Sequence, residues 1–69
     1  MSEIIKDHKM VVGKLGSGYA AVLMSLVEDN ELGEYWDIEQ TGIGRYDNKA
    51  DAIKEAISWA NEEGIRLEL

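Results

Sequence analysis

Residues 16–29, Gly16-Ser17-Gly18-Tyr19-Ala20-Ala21-Val22-Leu23-Met24-Ser25-Leu26-Val27-Glu28-Asp29, decide the fold. Only Ser25 is polar in the run 19–27, and the run can be read in two ways. Ala20, Leu23, Met24 and Val27 stand at i, i+3, i+4 and i+7, which is the stripe of a helix. Tyr19, Ala21, Leu23, Ser25 and Val27 also alternate with Ala20, Val22, Met24 and Leu26 as the two faces of a strand. The flanks favour the strand. Gly16-Ser17-Gly18 suits a tight turn, because glycine takes positive φ without steric cost, and the charged, glycine-containing stretch 28–34 supplies the loop that a meander needs.

Working outward, residues 9–15 hold closely spaced apolar side chains (Met10, Val11, Val12, Leu15) and are expected to form a first strand. A third strand is expected from Tyr35 to about Thr41, with Trp36 and Ile38 inward and Asp37 and Glu39 outward, the alternation of a sheet with one wet face. Gly42 and Gly44 then end the strand or create a bulge. A helix follows: Asn48 suits the N-cap with Asp51 at the third helical position, and Gly64 suits a left-handed C-terminal cap. Ala52, Ile53, Ala56, Ile57 and Ala60 repeat at helical spacing with Trp59 at the edge, while Lys49, Lys54, Glu55, Ser58 and Glu62 fall elsewhere. After Gly64 the period returns to two, with Ile65, Leu67 and Leu69 in and Arg66 and Glu68 out. The expected fold is α+β: an antiparallel sheet of three to four strands covered by one helix, in the order β-β-β-α-β. Residues 1–69 are read as one domain, with 1–8 as a mobile N-terminal segment.

Composition narrows the function. A chain of 69 residues has room for one thin core. With no cysteine it has no disulfide, zinc ribbon or thiol nucleophile. Its longest apolar run, residues 20–24, is far too short to span a bilayer, and residues 1–10 are too charged for a signal peptide. The expectation is a soluble cytoplasmic protein with no membrane contact. Residues 1–27 hold two acids (Glu3, Asp7) and three bases (Lys6, Lys9, Lys14), whereas residues 28–69 hold twelve acids and four bases, giving a net charge of −7. Six of those acids (Glu28, Asp29, Glu31, Glu34, Asp37, Glu39) lie in residues 28–39, with no base among them. Direct nucleic-acid binding is disfavoured, because phosphate affinity comes from lysine and arginine. A partner protein with a basic surface is the natural complement.

The short motifs do not add up to a reaction. Gly13-Lys14-Leu15-Gly16-Ser17-Gly18 has its lysine too early for a phosphate loop, and a strand-like run follows where a helix is needed. Residues 28–39 can be laid on a twelve-residue calcium loop with Gly33 sixth and Glu39 twelfth, but Leu32 falls on a ligand position and the helical flanks are missing. His8 beside Asp7 reads as a solvated histidine near a terminus. Ser17, Ser25 and Ser58 are not in a nucleophile elbow. The chain is therefore read as a non-enzyme with no cofactor and no metal. Tyr35 shares the outward face of Asp37 and Glu39 and suits an interface anchor.

Two resemblances complete the reading. Gly42-Ile43-Gly44-Arg45-Tyr46-Asp47-Asn48-Lys49-Ala50-Asp51-Ala52-Ile53-Lys54-Glu55-Ala56, with Gly18-Tyr19-Ala20-Ala21 before it, resembles the strand-then-helix half of HicB-type antitoxins, small β-rich domains that neutralise a basic RNase toxin. It departs from that family in having no proline-rich approach to the glycine and in its long acidic hairpin. In size, charge and layout the chain also resembles small acidic phage and prophage proteins of the anti-CRISPR and anti-restriction type. That likeness implies a non-enzymatic inhibitor of a host defence complex and carries over no site residue. The charge of the stretch itself points to Glu28, Asp29, Glu31, Glu34, Tyr35, Asp37 and Glu39 as the contact with a basic, nucleic-acid-binding surface. Outward residues two apart on a strand are about 6.8 Å from each other, near the spacing of successive phosphates on DNA. An exposed sheet edge also offers a route to a homodimer.

Overall fold

Gly16 and Ser17 turn the first strand, β1 (Glu3–Leu15), back on the second, β2 (Gly18–Asp29), in an antiparallel register that pairs Leu15 with Gly18 and Met10 with Leu23. This computed structural model describes residues 3–69. Gly16 has φ +62°, and among the described residues no non-glycine has positive φ. That is the pattern of a type II′ turn, whose twist matches that of the strands it joins. Residues 30–32 make a second turn between the paired Asp29 and Gly33 (φ +82°) and lead into β3 (Gly33–Thr41). The sheet order is β1-β2-β3, and the helix α1 (Lys49–Glu63) follows in sequence. The protein is α+β, and the run 19–27 is strand throughout.

β1 begins at Glu3 rather than at residue 9. Of the segment expected to be mobile, residues 3–5, 7 and 8 are paired with β2, and residues 1 and 2 lie outside the described residues. A bulge at Lys6 interrupts the alternation of β1. Ile5 pairs with Val27 and Asp7 with Leu26, so the inward-facing position moves from odd to even numbers at Lys6.

The ends of α1 match their sequence signals. Asn48 is the N-cap, its Oδ1 accepting the Asp51 N–H at 2.9 Å, and Gly64 takes the left-handed C-cap conformation with φ 68° and ψ 34°. The buried stripe consists of Ala52, Ala56 and Ala60. These small residues let the helix lie close on Met10, Ala21 and Leu23, while Val12, Trp59, Ile65 and Leu67 close the flanks of that core. Ile57 is 46% exposed and Leu69 72% exposed, so neither belongs to the apolar side on which its spacing placed it.

α1 packs on β1 and β2 and does not reach β3. Its side of the sheet carries Ala21, Leu23 and Ser25 of β2. Trp36 pairs with Leu26 and Ile38 with Met24, which puts both on the opposite, open face. The expectation that Trp36 and Ile38 point toward the helix is therefore corrected; alternation separates two faces but does not say which of them is covered. Beyond α1 the chain comes back to the outer edge of β1. Met10 N–H donates to the Arg66 carbonyl at 2.9 Å, and Glu68 N–H donates to the Met10 carbonyl at 2.8 Å, making one parallel bridge between Met10 and Leu67.

Candidate interaction surface

The acidic stretch 28–39 is the end of β2, the turn, and β3, and the structure divides it. At the tip, Asp29 Oδ1 accepts the N–H groups of Glu31 at 2.7 Å and Leu32 at 3.1 Å. These two bonds hold the Asp29 carboxyl below the usual range, so it stays ionised while ordering the turn. Glu28 and Glu34 face each other across the strands, and Lys6 reaches over from β1 to Glu34 at 2.6 Å. The Glu34 bond and the nearby Glu28 charge raise the Lys6 pKa. Glu31 is exposed on the turn. A loop made of two strand ends and a three-residue turn lacks the helix-flanked form of a calcium site. Among the described residues no group of three or more Asp, Glu or His is placed to hold a metal ion.

Further along β3, Tyr35, Asp37 and Glu39 sit on the helix side of the sheet, where α1 does not reach. Asp37 is exposed, and its Oδ1 accepts the N–H of Ile38 at 2.9 Å. Glu39 occupies a bulge opposite Leu23 and Met24 and turns inward. Its Oε1 accepts the hydroxyl of the buried Ser25 and lies 3.2 Å from His8 Nε2. His8 is therefore half-buried on β1, not a solvated terminal residue. The three side chains are not a nucleophilic triad, because the Ser25 proton is directed at the carboxylate and not at the imidazole. They line or adjoin a groove of about 620 Å³ walled by His8, Leu23, Glu39, Gly64 and Arg66.

Among the predicted binding residues, Asp29 thus orders the turn, Glu34 pairs with Lys6, Glu39 ties β3 to β1, and Asp37 accepts a backbone bond while its side chain stays exposed. Among the described residues no ion pair reaches Glu28, Glu31 or Asp37, and these three carry the outward charge of the stretch. Tyr35 is half-buried beside them.

Two further groups were missed from sequence. Lys9 Nζ lies 4.3 Å and the Arg66 guanidinium 5.9 Å from the Trp36 ring centre, while Lys9 pairs with Glu68 at 3.0 Å and Arg66 with Asp7 at 2.8 Å. These contacts lower the pKa values of Asp7 and Glu68 and raise that of Arg66. No local pattern reveals pairs 59 positions apart. The second group is Glu55. Its carboxylate lies so close to Gly42 that a Cβ there would stand 2.5 Å from Oε2, and its bond to the Tyr46 hydroxyl raises the phenol pKa. Gly42 is buried and also donates its N–H to Ala21 at 2.8 Å. The tight approach of a helix carboxylate to this glycine is the one sequence-level sign, a glycine just past a strand.

Among the described residues no helix is long and apolar enough to cross a membrane. No protein-family model, no curated protein and no solved structure matches the chain.

Proposed function

We propose that the protein is a non-enzymatic inhibitor of phage anti-defence type, which binds a basic, nucleic-acid-binding surface of a host protein complex through the β2–β3 hairpin. The observation that carries this reading is the set of outward carboxylates Glu28, Glu31 and Asp37, on a hairpin whose second strand, β3, has no backbone contact with α1. The hairpin is held rigid by its own acids, since Asp29 orders the turn while Lys6 and His8 tie β3 across to β1. A preordered charged surface binds without first losing its freedom, and its charge speeds association. An antitoxin-like partner of a basic RNase is the second reading, and the glycine loop and Asn48-capped helix of residues 42–56 favour it.

The test is affinity capture from the native host at two salt concentrations with three baits: wild type, Glu28→Gln/Glu31→Gln/Asp37→Asn, and Glu62→Gln/Glu63→Gln. The expected result is a basic partner held by wild type and by the helix variant, and released by the hairpin variant and by salt. A partner kept by the hairpin variant and lost with the helix variant would remove the hairpin from the interface. Identification of the captured protein as a defence component or as an RNase separates the two readings.

A further inference from the structure

The open face of the sheet carries an apolar strip, half-buried Met24 and Leu26 on β2 beside half-buried Trp36 and the 52% exposed Ile38 on β3, and Val22 on the same face is buried. From this strip we infer that a second copy of the chain packs on the open face, sheet against sheet, as a two-fold dimer. Three observations specify a second copy. The first is charge. Lys6–Glu34, Lys9–Glu68 and Arg66–Asp7 all lie on this face or its rim, with Glu28 beside them as an acid outside these pairs, so the face is close to balanced although the chain carries −7. Two such chains repel through their other surfaces and meet with least opposition here. Paired charges of both signs also suit a surface that must complement itself.

The second is area. The nine residues of β3 give a length of about 31 Å, and four strand widths, counting the segment beside Met10, give about 19 Å. The face is thus on the order of 600 Å² per copy, which places a dimer at the lower end of specific interfaces and makes it reversible. The third is arrangement. Met24, Leu26 and Ile38 lie side by side, and Trp36 beside them is capped by Lys9 and Arg66, so apolar groups and paired charges interleave on one surface, which suits contact with a copy of itself.

Sedimentation equilibrium from micromolar to millimolar protein tests this, independently of any reading of the hairpin. Wild type is expected to move from 7.7 kDa toward twice that mass. Ile38→Glu places a charge in the middle of the strip at an exposed position; it should keep the wild-type melting temperature and weaken dimerisation by at least about tenfold. Ile43→Glu, at a side chain 98% exposed on the loop after β3, should dimerise like wild type. In NMR spectra the indole signal of Trp36 should move with concentration and that of Trp59 should not. A wild-type chain that stays at 7.7 kDa throughout, or a dimer that survives Ile38→Glu and is lost in Ile43→Glu, overturns the inference. If Ile38→Glu lowers the melting temperature, the Trp36 signal of wild type decides alone.

Discussion

Asp37 blocks the backbone of its own neighbour: its carboxylate accepts the Ile38 N–H at 2.9 Å, as Asp7 does for His8 at 2.8 Å on the other outer strand. Both amides point away from the sheet. Met10 hands its N–H and C=O outward to the segment after α1, so by alternation His8 does too. The same alternation through Leu23 and Ser25 puts the Ile38 amide on the free edge of β3. An unpaired edge N–H is a template for another strand, and each edge fills one with the preceding aspartate.

Asp37→Ala should therefore make the protein more prone to edge association while changing its unfolding free energy by less than about 1 kcal/mol. Asp37→Asn keeps the acceptor and should behave as wild type. Light scattering during prolonged incubation checks this, and equal scattering from both variants would remove the role assigned to the carboxylate.

The helix–sheet contact should respond to volume and not to hydrophobicity. Ala56 is fully buried, and Ala56→Leu should destabilise by about 1–3 kcal/mol through overpacking. Met10→Ala should cost about 2–5 kcal/mol, a large share of what a domain this small possesses. Ile57→Ala should change stability by less than about 1 kcal/mol, since its side chain is half exposed. Urea denaturation of the three variants gives the order directly.

That order was only half legible. Asn48 and Gly64 bounded the helix because caps are local chemistry, and the strand at 19–27 followed from its flanking turns. The stripe was drawn one residue too wide, because Ile57 lies beside the alanines on the helix yet outside the sheet's reach. At Lys6 a single extra residue shifts the phase of β1, so no single alternation runs through residues 3–15. In the candidate site, the charge of residues 28–39 was plain in the sequence. The partners that engage part of it, Lys6 and His8, come from a strand that only the fold brings close.

Glu55 and Tyr46 supply a spectroscopic check on the loop after β3. The Glu55 carboxylate raises the Tyr46 phenol pKa above 10.0. Glu55→Gln should bring it back toward 10.0, read by ultraviolet titration of the phenolate. Gly42→Ala should do the same, because the added methyl pushes the carboxylate away. An unmoved Tyr46 titration in both variants would dissolve this contact.

Stability should fall in acid. Asp7 and Glu68 titrate below their ordinary values of 3.8 and 4.5, through their bonds to Arg66 and Lys9 respectively. A carboxylate with a depressed pKa in the folded state stabilises above its ordinary value, and that contribution is lost as pH falls through the folded value. The melting temperature should therefore hold above pH 4.5 and decline below it, and Asp7→Asn/Glu68→Gln should flatten the decline. A variant as acid-sensitive as wild type would assign the decline to other acids.

The segment beside Met10 gives the molecule an order of events. Both hairpins close over two- and three-residue turns, whereas Arg66 and Glu68 must find Asp7 and Lys9 across 59 positions. Closing so long a loop is slow relative to a hairpin, so the meander assembles first and the clasp last. Contacts made after the rate-limiting step act on the way out and not on the way in. Weakening the clasp by Arg66→Ala should accordingly leave the folding rate as it was and shorten the lifetime of the native state, so the last few residues serve as its latch.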